Sequence, residues 1–278
     1  GIRDALVGLV GSEMCIRDRA LSMNVQDLFG LSGKRALITG SSKGIGYALA
    51  KGLAGAGAEI VINGRDAAKL KQAADRLEQD GAVVSTAVFD VTDAAAVKAG
   101  VEKVETDVGQ IDILINNAGM QHRTPLEDFP DEAWDTLMQT NLYSVFNVGK
   151  AVAQHMISRK GGKIINICSV QTALARPGIA PYVASKGAVA NLTKGMCTDW
   201  AKHGLHVNGL APGYFETELN EALVADKEFS AWLSNRTPAG RWGRVDELVG
   251  AAVFLSSDSA SFVNGHILYV DGGITACL

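Results

Sequence analysis

The chain has 278 residues, which at about 150 residues per domain allows one large domain or two small ones. Its 26 Lys and Arg against 30 Asp and Glu give a net charge of −4, which argues against a nucleic-acid-binding protein, because such proteins present a basic surface. Hydrophobic residues at 47% and charged residues at 20% exclude a disordered chain, and no apolar run approaches the roughly 18 residues of a membrane span.

The first 22 residues differ from the rest of the chain. They repeat the tripeptide Ile-Arg-Asp at residues 2–4 and 16–18. A short apolar stretch at residues 5–10 resembles part of a signal peptide, but charged residues follow where a small-residue cleavage site would stand. We therefore expect residues 1–22 to be a non-native or disordered extension. Residues 23–278, beginning at Met23, are expected to form one folded domain.

Short apolar runs then alternate with helical patterns along the chain. Strands are predicted at residues 36–39, 60–62, 83–89, 113–115, 164–167, 206–210 and 267–270. Helices are predicted at residues 44–57, 67–79, 94–108, 131–158, 182–202, 218–233 and 245–255. This alternation is typical of an α/β fold with a parallel sheet covered by helices on both faces. Since no linker interrupts it, the sequence predicts a single doubly wound domain with seven parallel strands.

The cysteines and histidines give no sign of a disulfide framework or a metal site. The four cysteines are widely scattered without a C-x-x-C pair, which fits a reducing compartment such as the cytoplasm. His203 and His206 are the closest histidines, but no acidic or thiol partner stands at ligand spacing beside them. We expect no metal. Cys168, next to Ser169, is interpreted as a small buried hydrophobic residue rather than a nucleophile.

A glycine-rich loop follows the first predicted strand. The sequence from Thr39 to Gly46 has the pattern G-x-x-x-G-x-G and leads into a helix. Glycines allow the backbone to turn sharply and to approach a pyrophosphate, while the helix N-terminus offers N–H groups and the positive end of its dipole. The loop predicts dinucleotide binding, although a tight turn between strand and helix also requires glycines.

Several further motifs follow this loop in a fixed order. With it, they resemble the short-chain dehydrogenase/reductase family from about residue 31 to residue 273. The matching segments are Thr39 to Gly46, Asp90, Asn116 to Gly119, Asn141, Ser169, Tyr182-x-x-x-Lys186, Pro212-Gly213 and Asp271 to Gly273. The resemblance implies a Rossmann fold and an oxidoreductase that uses NAD or NADP on an alcohol or ketone.

Tyr182 and Lys186 also form a chemically plausible pair without the resemblance. They are four residues apart on a predicted helix, so their side chains share one face. A phenol has a pKa near about 10 and is a poor base at neutral pH, but a nearby ammonium favours its phenolate. Ser169 ends a predicted strand at the edge where such sheets bind ligands. We therefore expect Tyr182 to act as acid and base and Ser169 to orient the reacting oxygen. The resemblance adds Asn141 as a residue that keeps a relay water; otherwise Asn141 satisfies local backbone groups.

The resemblance also implies a set of cofactor-binding residues. Lys186 would hold the nicotinamide ribose, Asp90 would meet the adenine edge, and the segment from Asn117 to Gly119 would pass the adenosine side. Asp90 is alternatively a helix N-terminal charge, and residues 117–119 alternatively fix the centre of the sheet. The complete set is Gly40, Ser42, Lys43, Gly44, Ile45, Gly46, Arg65, Asp90, Val91, Asn117, Ala118, Gly119, Tyr182, Lys186, Pro212 and Gly213.

Two cations favour NADP over NAD. An NAD site usually places a carboxylate just after the second strand, to bind the ribose 2′-hydroxyl. Here the segment Asn63-Gly-Arg65 contains no acid, and Lys43 projects from the glycine loop. Lys43 and Arg65 would attract a 2′-phosphate, and an arginine grips phosphate with two hydrogen bonds. Each cation is alternatively a solvated surface charge, which leaves NAD as the second possibility.

Arg123 suggests an anionic substrate. It lies four residues beyond Gly119, in the loop after the fourth predicted strand and thus at the crevice edge. Residues 121–124, 167–169, 212–215 and 236–239 resemble the family members that interconvert a sugar acid and its keto form. We expect Arg123 to bind the carboxylate, with Ser169 and Tyr182 at the reacting oxygen. Arg123 is alternatively a solvated cation or part of a salt bridge between subunits.

Other functions remain open from the sequence. The first is a 3-oxoacyl-carrier-protein reductase or another polyol dehydrogenase of the same family. A nucleotide-sensing module or a purely structural subunit would not need the intact set of Ser169, Tyr182 and Lys186. The resemblance also implies a homotetramer, assembled through the helices at 131–158 and 182–202 and the last strand. Neither a nucleic acid nor a membrane is expected as a partner.

Overall fold

The computed structural model describes residues 24–277, so the expectations for residues 1–22 and for Met23 lie outside the described residues. Within this range seven strands form one sheet in which every neighbouring pair is parallel. The strands are β1 (Arg35–Ile38), β2 (Glu59–Gly64), β3 (Val84–Val88), β4 (Ile113–Asn116), β5 (Gly162–Ile167), β6 (Leu205–Pro212) and β7 (Ile267–Val270). Their order is β3-β2-β1-β4-β5-β6-β7. The predicted doubly wound parallel sheet is therefore confirmed.

Helices connect the strands and cover both faces of the sheet. They are α1 (Val25–Phe29), α2 (Gly44–Gly55), α3 (Ala67–Gln79), α4 (Ala94–Lys103), α5 (Asp131–Met138), α6 (Ser144–Arg159), α7 (Ala180–Trp200), α8 (Glu221–Ala225), α9 (Lys227–Arg236) and α10 (Val249–Ser256). In residues 24–277, no helix is both long and apolar enough to cross a membrane.

Two of the predicted helices are divided in the structure, and the helix predicted at 94–108 ends as a π-helical turn at Val104–Val108. The helix predicted at 131–158 is divided into α5 and α6 by a π-helical turn at Gln139–Tyr143. The helix predicted at 218–233 is replaced by a 3₁₀ turn at Glu218–Asn220 followed by α8 and α9, because Asp226 caps the start of α9 and ends the continuous pattern. The sequence analysis also missed α1, whose five residues are too few to show a helical period.

The core lies in two layers, one on each face of the sheet. Side chains alternate along the strands, so Leu37 of β1 packs on one face while its neighbour Ile38 packs on the other. Helices α2, α3 and α10 cover the face of Ile38, and α4, α6 and α7 cover the face of Leu37. Apolar burial on both sides fixes the sheet, so the loops at the strand ends have a rigid base.

A buried polar network links the centre of the sheet to α7, on the face of Leu37. Asn116 of β4 donates from its amide to Asn166 Oδ1 of β5 at 2.9 Å. Asn166 donates in turn to Thr193 Oγ1 of α7 at 2.9 Å, and the Thr193 hydroxyl donates to the Val189 carbonyl at 2.8 Å. All three side chains of this chain of donors are buried. The network therefore fixes the position of α7, whose first turn carries Tyr182, relative to two central strands.

We expect Thr193→Val to lower the free energy of unfolding by about 1–3 kcal/mol, because it removes the oxygen that accepts from the buried Asn166 amide. Thr198→Val is the matched control, since Thr198 lies on the same helix and bonds the Lys194 carbonyl but is exposed. Its effect should remain within about 0.5 kcal/mol. Urea denaturation of both variants measures the difference, and equal losses would contradict a specific role for the network.

Candidate active site

The predicted site residues converge on the carboxyl edge of the sheet, beside the point where the strand order reverses. Strand β1 lies between β2 and β4, so the chain leaves β1 toward one side of the sheet and crosses to the other before β4. Open α/β sheets bind ligands in the crevice at this position. The loop from Gly40 to Gly46 follows β1, and the segment from Asn117 to Gly119 follows β4. The two loops thus form the walls of one crevice.

The glycines of the first loop meet different requirements. Gly40 has φ +60°, and a Cβ there would lie 2.9 Å from the Ala118 Cα. A Cβ at Gly46 would collide with the Asn117 side chain, so the two loops can pack this closely only because Gly46 has no side chain. Gly44 also has φ +60° but has no atom within 4 Å of a Cβ position. This open space at the N-terminus of α2 fits a pyrophosphate, whose oxygens would accept from its N–H groups.

Hydrogen bonds hold the two loops together. The Thr39 hydroxyl accepts from the backbone N–H groups of Asn117 and Ala118, at 2.9 and 3.0 Å. The Asn117 amide donates to the carbonyls of Thr39 and Gly40. The Asn117 side chain therefore joins the two loops, which agrees with the alternative that residues 117–119 fix the centre of the sheet. Thr39 was not among the predicted site residues, although it is the first residue of the matching segment from Thr39 to Gly46.

The proposed proton-transfer residues meet next to β5. Ser169 follows this strand, is buried, and accepts from the Gln171 N–H at 3.1 Å. Tyr182 and Lys186 share one face of α7, where the Lys186 Nζ lies 5.7 Å from the centre of the Tyr182 ring. Lys186 is buried and donates to the Ile167 carbonyl at 2.7 Å. The structure therefore brings the three predicted residues together.

The environment of Tyr182 favours its protonated form. Burial raises the pKa of the Tyr182 hydroxyl, and a hydrogen bond with Ser169 and the charge of Arg123 oppose this rise only in part. The sequence led us to expect that Lys186 favours the phenolate; here burial outweighs the neighbouring charges. Burial also lowers the pKa of Lys186 to about 8, a change that nearby Cys168 opposes. The site thus holds a protonated phenol beside a buried ammonium.

Asn141 lies inside the π-helical turn and is fully buried. Its Oδ1 accepts from the Met120 N–H at 2.8 Å, and its amide donates to the Met120 carbonyl at 2.9 Å and to Ser185 Oγ at 3.2 Å. A Cβ at Gly119 would lie 3.5 Å from Asn141 Oδ1 and 3.9 Å from Lys186 Nζ. Asn141 therefore links the loop after β4 to the catalytic helix α7.

Both cations predicted for the adenosine side form ion pairs in this structure. Lys43 Nζ lies 2.5 Å from Glu218 Oε2, so it bridges to the segment after β6. The exposed Arg65 approaches Asp90 at the longer distance of 3.6 Å. Burial alone would raise the pKa of the Asp90 carboxyl, but hydrogen bonds from Thr92 and the charge of Arg65 lower it. Asp90 is therefore a carboxylate, and Arg65 keeps most of its surface open to solvent.

The remaining predicted cofactor residues lie along the same edge. The Ser42 carbonyl is 3.5 Å from the Arg76 guanidinium, a neighbour that the sequence analysis did not identify. Pro212 ends β6, and the Gly213 N–H donates to the Val270 carbonyl of β7. Val91 and Ile45 have apolar surroundings. Val91 is buried in the core on the face of Leu37, and Ile45 packs against the core on the face of Ile38.

The substrate side of the crevice contains more polar groups than the sequence indicated. A guanidinium nitrogen of Arg123 lies 3.5 Å from Asn220 Oδ1. Burial lowers the pKa of Arg123, and the charge of Arg176 lowers it further. Tyr214 accepts from the Gln171 amide at 3.1 Å, and a hydrogen bond with Arg176 lowers its pKa, although burial raises it overall. Tyr214 lies in the segment 212–215 noted in the sequence, whereas Arg176 and Gln171 stand between β5 and α7 without a recognisable spacing. Throughout residues 24–277, no three His, Cys, Asp or Glu side chains group as metal ligands.

Comparisons with known proteins agree with this geometry. A family model described as enoyl-(acyl carrier protein) reductase matches residues 40–275. The gluconate 5-dehydrogenase of Gluconobacter oxydans is 66% identical over 256 residues, which cover 92% of this chain and 100% of the relative. The chain belongs to the short-chain dehydrogenase/reductase family.

Other members of the short-chain dehydrogenase/reductase family are also similar. The 5-keto-D-gluconate 5-reductase of Escherichia coli K12 is 53% identical over 250 residues, covering 90% of this chain and 98% of the relative. The crystal structure of a gluconate 5-dehydrogenase from Burkholderia cenocepacia, in complex with NADP and tartrate, has 60% identity and a TM-score of 0.90. The match covers 92% of this chain and 100% of the chain in that structure. This short-chain dehydrogenase/reductase is therefore an oxidoreductase, as the motifs predicted.

The buried Lys186 makes the stability of the protein depend on pH. Its pKa is about 8 in the folded protein against 10.5 ordinarily, so between these values the unfolded chain binds more protons. The free energy of unfolding should then rise with pH over this range, by up to about 1.4 kcal/mol per pH unit. Urea denaturation at about pH 7 and about pH 9.5 measures this gain, which Lys186→Met should lack. Lys194→Met, on the exposed side of α7, should behave as the wild type; identical pH slopes for all three proteins would contradict the assignment.

Proposed function

We propose that the protein is an NADP-dependent oxidoreductase that interconverts gluconate and 5-ketogluconate. The observation that carries this proposal is the cationic substrate side of the crevice, where Arg123 follows β4 and has the neutral Asn220 oxygen, rather than a carboxylate, as its neighbour within residues 24–277. A carboxylate at one end of a substrate would pair with the guanidinium while a carbonyl elsewhere in the chain meets the phenol. The names of the relatives from G. oxydans and E. coli support a sugar acid as the substrate.

The glycine loop and its neighbours would hold the dinucleotide. The open space over Gly44 would receive the pyrophosphate, and Lys186 would hold the nicotinamide ribose, as the family resemblance implies. Arg65 would bind the 2′-phosphate, because it is exposed and its pair with Asp90 is long. Lys43 would bind the 2′-phosphate only if it gave up its ion pair with Glu218. When bound, the reduced dinucleotide supplies the hydride. Structures of relatives in complex with NADP support this cofactor, with NAD as the second possibility.

In the reductive direction, Tyr182 donates its proton to the oxygen of the substrate carbonyl. Burial keeps the phenol protonated until the carbonyl oxygen becomes basic, and Ser169 hydrogen-bonds the same oxygen. The Lys186 ammonium stabilises the phenolate that remains. Asn141 maintains the loop after β4 at the correct distance and, as the family resemblance suggests, keeps a relay water. In the oxidative direction the same groups act in reverse.

We further propose a homotetramer. Three aromatic side chains on α5, the π-helical turn and α6 are markedly exposed, Trp134 at 40%, Tyr143 at 50% and Phe146 at 45%. Exposed aromatic groups along one pair of helices are typical of a surface that a second copy covers. The support for this assembly is the exposed aromatic surface of α5 and α6 together with the family resemblance.

Tyr182→Phe should reduce kcat by at least about 10²–10⁴-fold, because it removes the proton donor and leaves the ring. Binding of NADPH, followed by its fluorescence, should persist. Thr106→Val is the control, since it removes an exposed hydroxyl that bonds only neighbouring residues of its own turn. Near-normal turnover of the Tyr182→Phe protein would overturn the mechanism.

Arg123→Ala tests the substrate class. It should lower kcat/KM for 5-ketogluconate about 10- to 100-fold, because a charged hydrogen bond contributes about 1.5–3 kcal/mol. Fructose, a neutral ketose of the same length, should change by much less. The comparison also separates the alternative 3-oxoacyl-carrier-protein reductase, since a thioester carries no free carboxylate. Equal losses on both substrates, or no loss on either, would remove the support for a sugar acid.

A further inference from the structure

The loop that carries Arg176 lies beside the loop that carries Arg123. Arg176 stands between the turn after Ser169 and the start of α7, whereas Arg123 follows β4. The Thr124 N–H donates to the Gly178 carbonyl at 3.1 Å and joins the two loops next to both arginines. Both guanidinium groups therefore border the same part of the crevice.

The two arginines have no acidic partner between them. Within residues 24–277, neither Arg123 nor Arg176 forms an ion pair with a carboxylate, and Arg123 has only the neutral Asn220 oxygen at 3.5 Å. The charge of Arg176 nevertheless lowers the pKa of Arg123, so the two like charges repel each other. Two unneutralised cations near a binding crevice favour an anion that neutralises both.

Arg176 is held in place by aromatic residues of two other segments. Its guanidinium carbon lies 5.4 Å from the centre of the Phe229 ring on α9. Its charge also acts on the hydroxyl of Tyr214, whose ring packs edge-on against Trp242 at 5.8 Å. A cation over an aromatic face is stabilised and restricted in its motion. Arg176 is therefore organised before a ligand arrives, which reduces the entropy lost on binding.

We propose that Arg176 is a second carboxylate-binding residue, so that the carboxylate of the substrate lies between the guanidinium groups of Arg123 and Arg176. This inference rests on the proposed sugar-acid activity and adds a residue to it. Arg176 is anchored to the segment that follows β6 and to α9, and Arg123 to the loop after β4. Together they fix the distance from the carboxylate to the Tyr182 hydroxyl, and Arg176 becomes a determinant of which carbonyl along the chain is reduced.

The test compares Arg176→Met and Arg176→Lys with the wild type. In Arg176→Met, kcat/KM for 5-ketogluconate should fall about 10- to 100-fold, mainly through KM, because charged hydrogen bonds are lost. The value for fructose should change less than about threefold. Arg176→Lys should recover part of the loss, since it keeps the charge without the planar fork. Phe229→Leu, which removes the ring under the guanidinium, should give an intermediate KM.

A second measurement uses gluconate as an inhibitor of reduction, with glucitol as its uncharged counterpart. The inhibition constant of gluconate should rise about 10- to 100-fold in Arg176→Met, whereas that of glucitol should stay the same. Arg244→Met is the control, because Arg244 is exposed and pairs with Asp246 instead. Melting temperatures confirm that each variant is folded.

The outcomes separate this inference from the proposed function. If Arg123→Ala loses selectivity for the acid but Arg176→Met retains it, the inference is overturned and the sugar-acid activity stands. If the wild type reduces fructose as well as 5-ketogluconate, the sugar-acid activity fails. In that case gluconate inhibition still decides the role of Arg176: weaker inhibition in Arg176→Met supports it, and unchanged inhibition overturns it.

Discussion

The contact between the loop after β1 and the loop after β4 determines where every group of the site lies. The Thr39 hydroxyl accepts from two backbone N–H groups of the second loop, and Gly40 touches Ala118 so closely that a side chain would not fit. The second loop continues past Gly119 to Met120, whose N–H and carbonyl both bond the side chain of Asn141, and Asn141 bonds Ser185 next to Lys186. A displacement at Thr39 would therefore be transmitted toward Asn141 and the helix of Lys186 through packed and hydrogen-bonded groups, because close-packed interiors do not absorb such shifts.

The strands and most helices follow from the sequence because their apolar periods are long enough to recognise. Ser169, Tyr182 and Lys186 were identifiable because they occur in a fixed order after a glycine loop. Arg176 was not, since its relation to Arg123 depends on one hydrogen bond, from Thr124 to Gly178, between distant loops. The partner of Lys43 was missed for the same reason: Glu218 lies 175 residues away in the chain and reaches the glycine loop only in the folded protein.

The distribution of charge matters more here than the net charge. The chain carries −4 overall, yet the described crevice is bordered by five cations at separate positions, Lys43, Arg65, Arg123, Arg176 and Lys186. Those at the adenosine side pair with carboxylates, and the one next to Tyr182 is buried against a carbonyl. The crevice cations attract anionic ligands only over short distances, since salt screens such fields beyond about 8 Å at physiological ionic strength.

The π-helical turn at residues 139–143 makes α5 and α6 equivalent to one α-helix that has gained a residue. Each residue of an α-helix rotates the chain by about 100°, so the extra residue changes the phase of everything after it. Val145, Val148 and Val152 of α6 face the core in the phase that follows the turn. Deleting one residue here would make the helix regular but would rotate these valines toward solvent. Single-residue deletions should therefore be tolerated far less at this point than in the exposed turns of the chain.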